Sequence, residues 1–319
     1  MRENKVIYGL IGYGGMGRWH TEILSNVPEI EIGGIYDIKE EKRIEAKEKG
    51  FSVYGSEEEM LSDPDIDVVL IATPNDCHKP IAIRAMHAGK NVISEKPVTL
   101  SSSDLQEMEN VAKETGKFLT VHQNRRWDDD FLIIRKLVEE QKLGHVFRIE
   151  SRVHGSRGIP GDWRKEKIHG GGMVLDWGVH LLDQILYLYG DRKIETVYAS
   201  LTHITNQEVD DGFTTILTFE GGTEVLVEVG TNNYISLPRW YVLGEDGTAV
   251  IRDWQLNGEI IRKTGITEEK VVPVKTAAGL TKTMAPRRED TIVKEELPHV
   301  SGDCLLYTSP SPRDRQKSR

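Results

Sequence analysis

Residues 175–184, LDWGVHLLDQ, set Asp176 and His180 four positions apart, so on a helix both side chains share one face amid Leu, Trp and Val. Titratable groups in so apolar a segment need a partner or a task. An imidazole in such a position suits general-base work. It can take a hydroxyl proton while hydride leaves the attached carbon, and the aspartate can orient the ring or hold a neighbouring hydroxyl. The helix alone is equally well read as a first-turn aspartate with a hydrogen-bonded core histidine. Asp183 extends the stripe by a step of three. Lys96, in NVISEKP, is the third candidate, because an ammonium at a strand's carboxyl end can polarise a substrate oxygen and stabilise alkoxide-like charge. A solvent lysine paired with Glu95 is the plain alternative.

These side chains need elements to hold them, and the first half of the chain supplies a regular set. KVIYGLIGYGGMGRWH begins as an apolar strand, turns through Gly12, Tyr13, Gly14, Gly15, Met16 and Gly17, and enters helically spaced RWHTEILSNV. Gly12, Gly14 and Gly17 fit GxGxxG, where glycine permits a tight turn, close approach to a pyrophosphate and helix-on-strand packing. Asp37 ends the next strand, EIGGIYD, 20 residues beyond Gly17. A carboxylate there suits ribose hydroxyls and repels a 2′-phosphate, so the reading favours NAD over NADP, while Lys39 keeps NADP as the second option. Helix and strand then alternate through "EEEMLSDPDI", residues 67–74, "KPIAIRAMHAGK", "NVISEKP" and "SSSDLQEMENVAKETG", with Ser101, Ser102 and Ser103 as N-caps. This rhythm predicts a parallel doubly wound sheet, whose ligands lie beyond the strands' carboxyl ends. The rule singles out Thr73, Pro74 and Asn75 after one strand, and Glu95, Lys96 and Pro97 after the next. His78 fits either a cofactor contact or a surface helix start.

After FLTVHQNRRWDDDF the pattern changes to one helix over about 129–142, then long alternating strands with turns at EGGT and EDGT. Val225, Val227 and Val229 share one face. The second domain is therefore α+β, built on a mainly antiparallel sheet, with the boundary near residues 122–126. The polar stretch 156–172, SRGIPGDWRKEKIHGGG, is read as a loop with substrate contacts. One regular helix is expected from Met173 through Leu188.

The 319 residues allow two cores, and 38% apolar with 29% charged residues is ordinary for a globular protein. A net charge of −10 without a basic cluster argues against nucleic acid or anionic membrane as partner, and no apolar run approaches the ~20 residues of a membrane span. A small-molecule substrate and a cytoplasmic location follow as expectations. Cys77 and Cys304 give neither a disulfide framework nor metal-ligand spacing, so no metal is assigned. Residues 304–319, CLLYTSPSPRDRQKSR, lack periodicity, and their start resembles a translated sequencing-library adapter. They are read as a non-native, disordered tail replacing the natural continuation near Asp303. Without their four basic residues and one acidic residue the net charge is −13.

Taken in order, GLIGYGGMGRWH, IATPNDCHKP, AGKNVISEKP, NRRWD and DWGVHLLD resemble the Gfo/Idh/MocA oxidoreductases, which include glucose-fructose oxidoreductase and inositol 2-dehydrogenase. The resemblance runs to about Asp303. It implies a Rossmann domain over 1–123 and a substrate-binding domain over 124–303 on a large open sheet often used for oligomerisation, hence a homo-dimer or tetramer. It also implies reversible oxidation of a secondary alcohol of a sugar or cyclitol. The family's EKP lysine matches Lys96, and its catalytic aspartate and histidine match Asp176 and His180. Arg126, Trp163 and Arg164 are further substrate-contact candidates, against surface salt bridges and a packed indole as alternatives. Two other functions remain open from sequence: a glycoside hydrolase using NAD without net redox change, and a catalytically silent nucleotide-binding sensor. Net NADH formation separates the first from a dehydrogenase, and the intact Lys96, Asp176 and His180 set argues against the second. The family normally continues past Asp303 with further helix and strand.

Overall fold

The computed structural model describes residues 5–266 and 271–300. The segment 304–319, read from sequence as a non-native tail, lies outside the described residues. The first half alternates as the apolar runs dictate: β1 (Val6–Ile11), α1 (Gly15–Leu24), β2 (Ile30–Tyr36), α2 (Glu40–Glu48), α3 (Glu57–Ser62), β3 (Val68–Ile71), α4 (His78–His87), β4 (Asn91–Ser94), α5 (Ser102–Thr115) and β5 (Leu119–Val121). The five strands form one parallel sheet in the order β2-β1-β3-β4-β5. The order reverses between β1 and β3, which opens a crevice outside the carboxyl ends of those strands. Strands buried on both faces explain the unbroken apolar runs: Ile7, Leu10, Ile11, Val69, Leu70, Ile71 and Val92 are all nearly inaccessible. Ser101 caps α5 by accepting from the Asp104 backbone N–H, and Gly116 ends that helix in the left-handed region.

The second half holds α6 (Asp129–Glu139), β6 (Val146–His154), α7 (Val179–Tyr189), β7 (Ile194–Thr202), β8 (Gly212–Phe219), β9 (Glu224–Gly230), β10 (Trp240–Gly244), β11 (Gly247–Ile251), β12 (Gly258–Lys263), β13 (Val274–Thr276), β14 (Gly279–Thr281) and β15 (Ile292–Glu295). Eight strands join as β15-β12-β11-β10-β6-β9-β8-β7, antiparallel except where β6 runs parallel to β9, and β13 and β14 form a separate hairpin. Strand β12 and those after it were not foreseen from sequence. The two helices pack on one face of the large sheet. Phe131, Ile134 and Leu137 of α6 and Leu181 and Ile185 of α7 meet Val225, Val227, Val229 and Trp240 in one core. Each such side chain contributes about 1.5–3 kcal/mol on burial, which makes this layer the anchor of the second domain's site.

The helix expected from Met173 is not uniform. Val174–Gly178 form a π-helical turn before α7 begins at Val179. Gly178 explains the fit at this point, since a Cβ there would stand 2.9 Å from the Phe213 ring of β8. A π turn changes the angular step along the helix, so the stripe implied by residue spacing alone does not hold across it.

Candidate functional site

The glycine loop follows β1 directly. Gly12 has φ +97°, and a Cβ on it would meet the Ala72 carbonyl oxygen at 2.5 Å. At Gly17 a Cβ would approach the Gly12 carbonyl oxygen to 2.1 Å, so these two glycines let α1 lie against β1 and β3. Gly14 and Gly15 differ, because a Cβ at either would have nothing within 4 Å. The first turn of α1 has no side-chain cap, which suits a helix start that accepts a phosphate. Asp37 follows β2 and accepts from the Tyr13 backbone N–H at 2.7 Å and from the Lys39 N–H at 2.8 Å. Its carboxylate thus stands beside the loop. The Tyr13 side chain is fully buried against Phe51, so only its backbone belongs to the crevice, while Met16 is partly exposed.

The loops after β3 and β4 were also chosen by the strand-end rule. His78 is buried rather than at the surface, and its ring bridges them, with Nδ1 2.8 Å from the Pro97 carbonyl and Nε2 2.9 Å from that of Thr73. Burial lowers its proton affinity, so the neutral ring donates to only one of the two. The side chain is a strut between the loops. Thr73 and Pro74 lead into Asn75, which is buried and donates to the Gly170 carbonyl at 2.8 Å. His169 Nδ1 lies 3.1 Å from Asp76, so the polar stretch 156–172 is fastened to the first sheet's crevice.

Lys96 and Asp176 meet between the two halves. The lysine Nζ donates to the Asp176 carbonyl at 2.9 Å and to its Oδ1 at 3.0 Å, with the side chains 15% and 16% exposed. Arg164 Nε lies 3.3 Å from the other carboxylate oxygen and also pairs with Asp162. Burial opposes charge on Asp176, but Lys96 and Arg164 outweigh it and hold the carboxyl below its ordinary range. The Asp176–His180 spacing therefore does not make a hydrogen-bonded dyad. Asp176 serves the lysine, and His180 Nδ1 is buried with no hydrogen-bond partner in the protein. Burial, with the Lys96 and Arg125 charges close by, pushes this imidazole down to about 2. At neutral pH the ring is uncharged and has a lone pair to offer.

The remaining candidates separate. Arg126 makes a bidentate pair with Asp183 (2.7 and 2.6 Å) and stacks on Tyr187, which engages both its guanidinium and the Asp183 carboxylate. Trp163 stacks under Arg164 at 4.8 Å and so borders the site through that residue. Glu95 does not pair with Lys96's ammonium. Its Oε1 is 2.7 Å from His20 Nε2 and 3.0 Å from His122 Nδ1, and its Oε2 accepts from the Lys96 backbone N–H at 3.2 Å. The three donor atoms of His20, Glu95 and His122 lie within 4.8 Å of one another. Sequence reasoning missed both histidines, although His122 directly follows β5 and the strand-end rule applied there would have found it. Arg125 was also missed. Its guanidinium stacks 4.1 Å from Trp177, and both border a cavity of about 470 Å³ that reaches Asp176 and Trp254.

A glycine loop on an uncapped helix, a strand-end carboxylate and a lysine facing a second, sheet-based domain define a two-domain dinucleotide-binding protein of the oxidoreductase type. The chain belongs to the Gfo/Idh/MocA oxidoreductase family. Residues 6–123 match the family's NAD-binding Rossmann fold, and residues 131–250 match a Gfo/Idh/MocA C-terminal domain. The chain is 37% identical over 190 residues to the uncharacterized oxidoreductase YdgJ of Escherichia coli (59% of this chain, 55% of that protein). It is 30% identical over 244 residues to the scyllo-inositol 2-dehydrogenase (NADP(+)) IolW of Bacillus subtilis (76% and 67%). The crystal structure of an NAD-binding protein from Listeria innocua superposes with a TM-score of 0.91 at 51% identity, covering 93% of this chain and 86% of that one. The chain thus spans about half to two thirds of the curated relatives' length. Among the described residues no helix is long and apolar enough to cross a membrane.

Proposed function

We propose that this chain carries the apparatus of a nicotinamide-dependent dehydrogenase that reversibly oxidises a secondary hydroxyl of a sugar, sugar derivative or cyclitol. The observation behind this reading is the Lys96–Asp176 contact, which sets a strand-end ammonium of the first sheet against the π turn leading to His180. In this reading residues 1–123 hold the cofactor and residues 124–303 hold the substrate. The open space at Gly14 and Gly15 and the uncapped start of α1 fit a pyrophosphate, and Asp37 beside Tyr13 fits a ribose. When bound, the nicotinamide takes up or returns the hydride.

His180, neutral through burial, accepts the hydroxyl proton in the oxidising direction. Lys96 has three N–H donors and gives two to Asp176, so one is left for the substrate oxygen as its negative charge grows. Asp176, held by Lys96 and Arg164, fixes the direction of that donor. NAD is the preferred cofactor because the Asp37 carboxylate would repel a 2′-phosphate. The NADP alternative rests on Arg43, whose guanidinium donates to the Asp37 carbonyl at 2.6 Å, and on the cofactor in IolW's name. A second copy of the chain would find exposed Val197, Tyr198 and Leu201 on β7. A panel of inositols, aldoses and sugar acids, each with NAD and with NADP, tests the proposal by reduced cofactor formed. Reduction by at least one polyol supports it, and cleavage of a glycoside without net reduced cofactor would replace it with the hydrolase reading.

A further inference from the structure

His20, Glu95 and His122 form a buried group that the proposed reaction does not use. They arrive from three elements: α1, the end of β4 and the end of β5. Two histidines and a carboxylate are also a metal-ligand set, but the distances favour shared protons. Two ligands about 2.1 Å from one zinc ion stand roughly 3.4 Å apart, whereas Glu95 Oε1 and His20 Nε2 are 2.7 Å apart. The rings are locked by packing as well. Those of His20 and His122 meet edge to face at 4.8 Å, and Trp19 lies against both, at 5.4 and 5.9 Å.

The clamp acts on Glu95. Burial alone would favour the neutral acid, yet hydrogen bonds from His122 and His20 outweigh it and keep the carboxyl far below its ordinary range. The buried side chain is therefore a fixed negative charge. One oxygen is held by the two imidazoles, and the other accepts from the backbone N–H of Lys96, the residue whose ammonium reaches Asp176. The charge is near enough to His180 to favour its protonated form, opposing Lys96 and Arg125.

We propose that Glu95, clamped between His20 and His122, is a positioning residue of the redox site: it anchors the backbone from which Lys96 reaches Asp176, and its charge offsets the cations around His180 as the imidazole takes a proton. This rests on the dehydrogenase reading above. Two properties follow. Removing the charge slows the chemical step more than it weakens substrate binding, and keeping the charge on a shorter side chain preserves part of the rate.

The experiment compares the wild type with Glu95→Gln, Glu95→Asp, His122→Leu and His122→Gln, using kinetics with the best polyol of the panel and crystal structures of the variants. Glu95→Gln is expected to lower kcat about a hundredfold, the scale of a misplaced catalytic group, with KM changed by less than about threefold. The deuterium isotope effect on kcat should rise, and the Lys96–Asp176 contact should lengthen. Glu95→Asp should recover at least about a tenth of the lost activity, and His122→Gln, which keeps an N–H donor, should exceed His122→Leu. Where Glu95→Gln does not fold, the His122 pair decides. An unchanged contact with unchanged kcat overturns the proposal. So does an equal loss in Glu95→Gln and Glu95→Asp with the isotope effect unmoved, which would mean only less folded enzyme. If no member of the panel supports NAD or NADP reduction by the wild type, the dehydrogenase reading falls, while the Lys96–Asp176 distance in Glu95→Gln crystals still decides the clamp.

Discussion

Replacing Lys96 with Met and Asp176 with Asn, singly and together, measures the contact on which the functional reading depends. At 3.0 Å a full ion pair is worth about 5 kcal/mol at an effective permittivity of about 20, and a little over 1 kcal/mol in bulk water. The two side chains are about one-sixth exposed, which reduces the gain, and Arg164 stays at 3.3 Å from Asp176 when Lys96 is lost. A coupling of about 2 kcal/mol is therefore expected from the double-mutant cycle, with each single change costing more than its share because a buried partner is stranded. Urea unfolding followed by tryptophan fluorescence at neutral pH gives the coupling. The pH dependence fixes its origin. The folded Asp176 carboxyl lies below its unfolded value of about 3.9, so the contribution is complete above about pH 4 and is lost as pH falls through the folded value. A coupling under about 0.5 kcal/mol at neutral pH, or one that survives full protonation of Asp176, would refute the reasoning.

The glycine loop separates packing from ligand binding. Gly17→Ala should destabilise by about 2 kcal/mol or more in urea titrations, since its Cβ meets a backbone oxygen at 2.1 Å. Gly14→Ala, with nothing within 4 Å, should keep wild-type stability and lose at least about tenfold in NAD affinity by calorimetry. Asp37→Ser should raise the NADP-to-NAD ratio of kcat/KM by about tenfold or more, because the repelling carboxylate is gone. His180 is held neutral when folded but takes a proton near 6.5 when unfolded, so its contribution is fully present above about pH 6.5 and declines below it. Relative to His180→Phe, the wild type should lose about 1.4 kcal/mol per pH unit between about pH 6 and pH 5, measured by urea midpoints.

The first sheet was readable because doubly buried parallel strands have a sequence signature, and ten of the 14 residues of β1, β3 and β4 are Val, Ile or Leu. The glycine loop and Asp37 were readable because backbone constraints restrict the residue type. The partnerships were less legible. Spacing put Asp176 beside His180, but the π turn and the approach of Lys96 gave the carboxylate a different partner, and a lysine 80 residues away is invisible to periodicity. For Arg126 the spacing left a substrate contact and a salt bridge both open, and its partner Asp183 lies 57 residues on. The His20–Glu95–His122 group escaped because its members come from three separate elements, and only topology brings them together. The parallel β6–β9 pairing was hidden for the same reason: alternation shows which face a strand buries, not which strand lies beside it.

The proposed function turns on net hydride transfer from a carbinol carbon of a sugar or cyclitol. It is tested with a substrate of the panel deuterated at that carbon, incubated with NAD and the protein, with the nicotinamide product read by mass spectrometry. Stoichiometric reduced nicotinamide carrying one deuterium is expected, with loss of that product by a factor of about a hundred or more in His180→Ala, which should still bind NAD. Deuterium that stays with the carbohydrate, with a glycosidic bond broken and no net reduced cofactor, would contradict it.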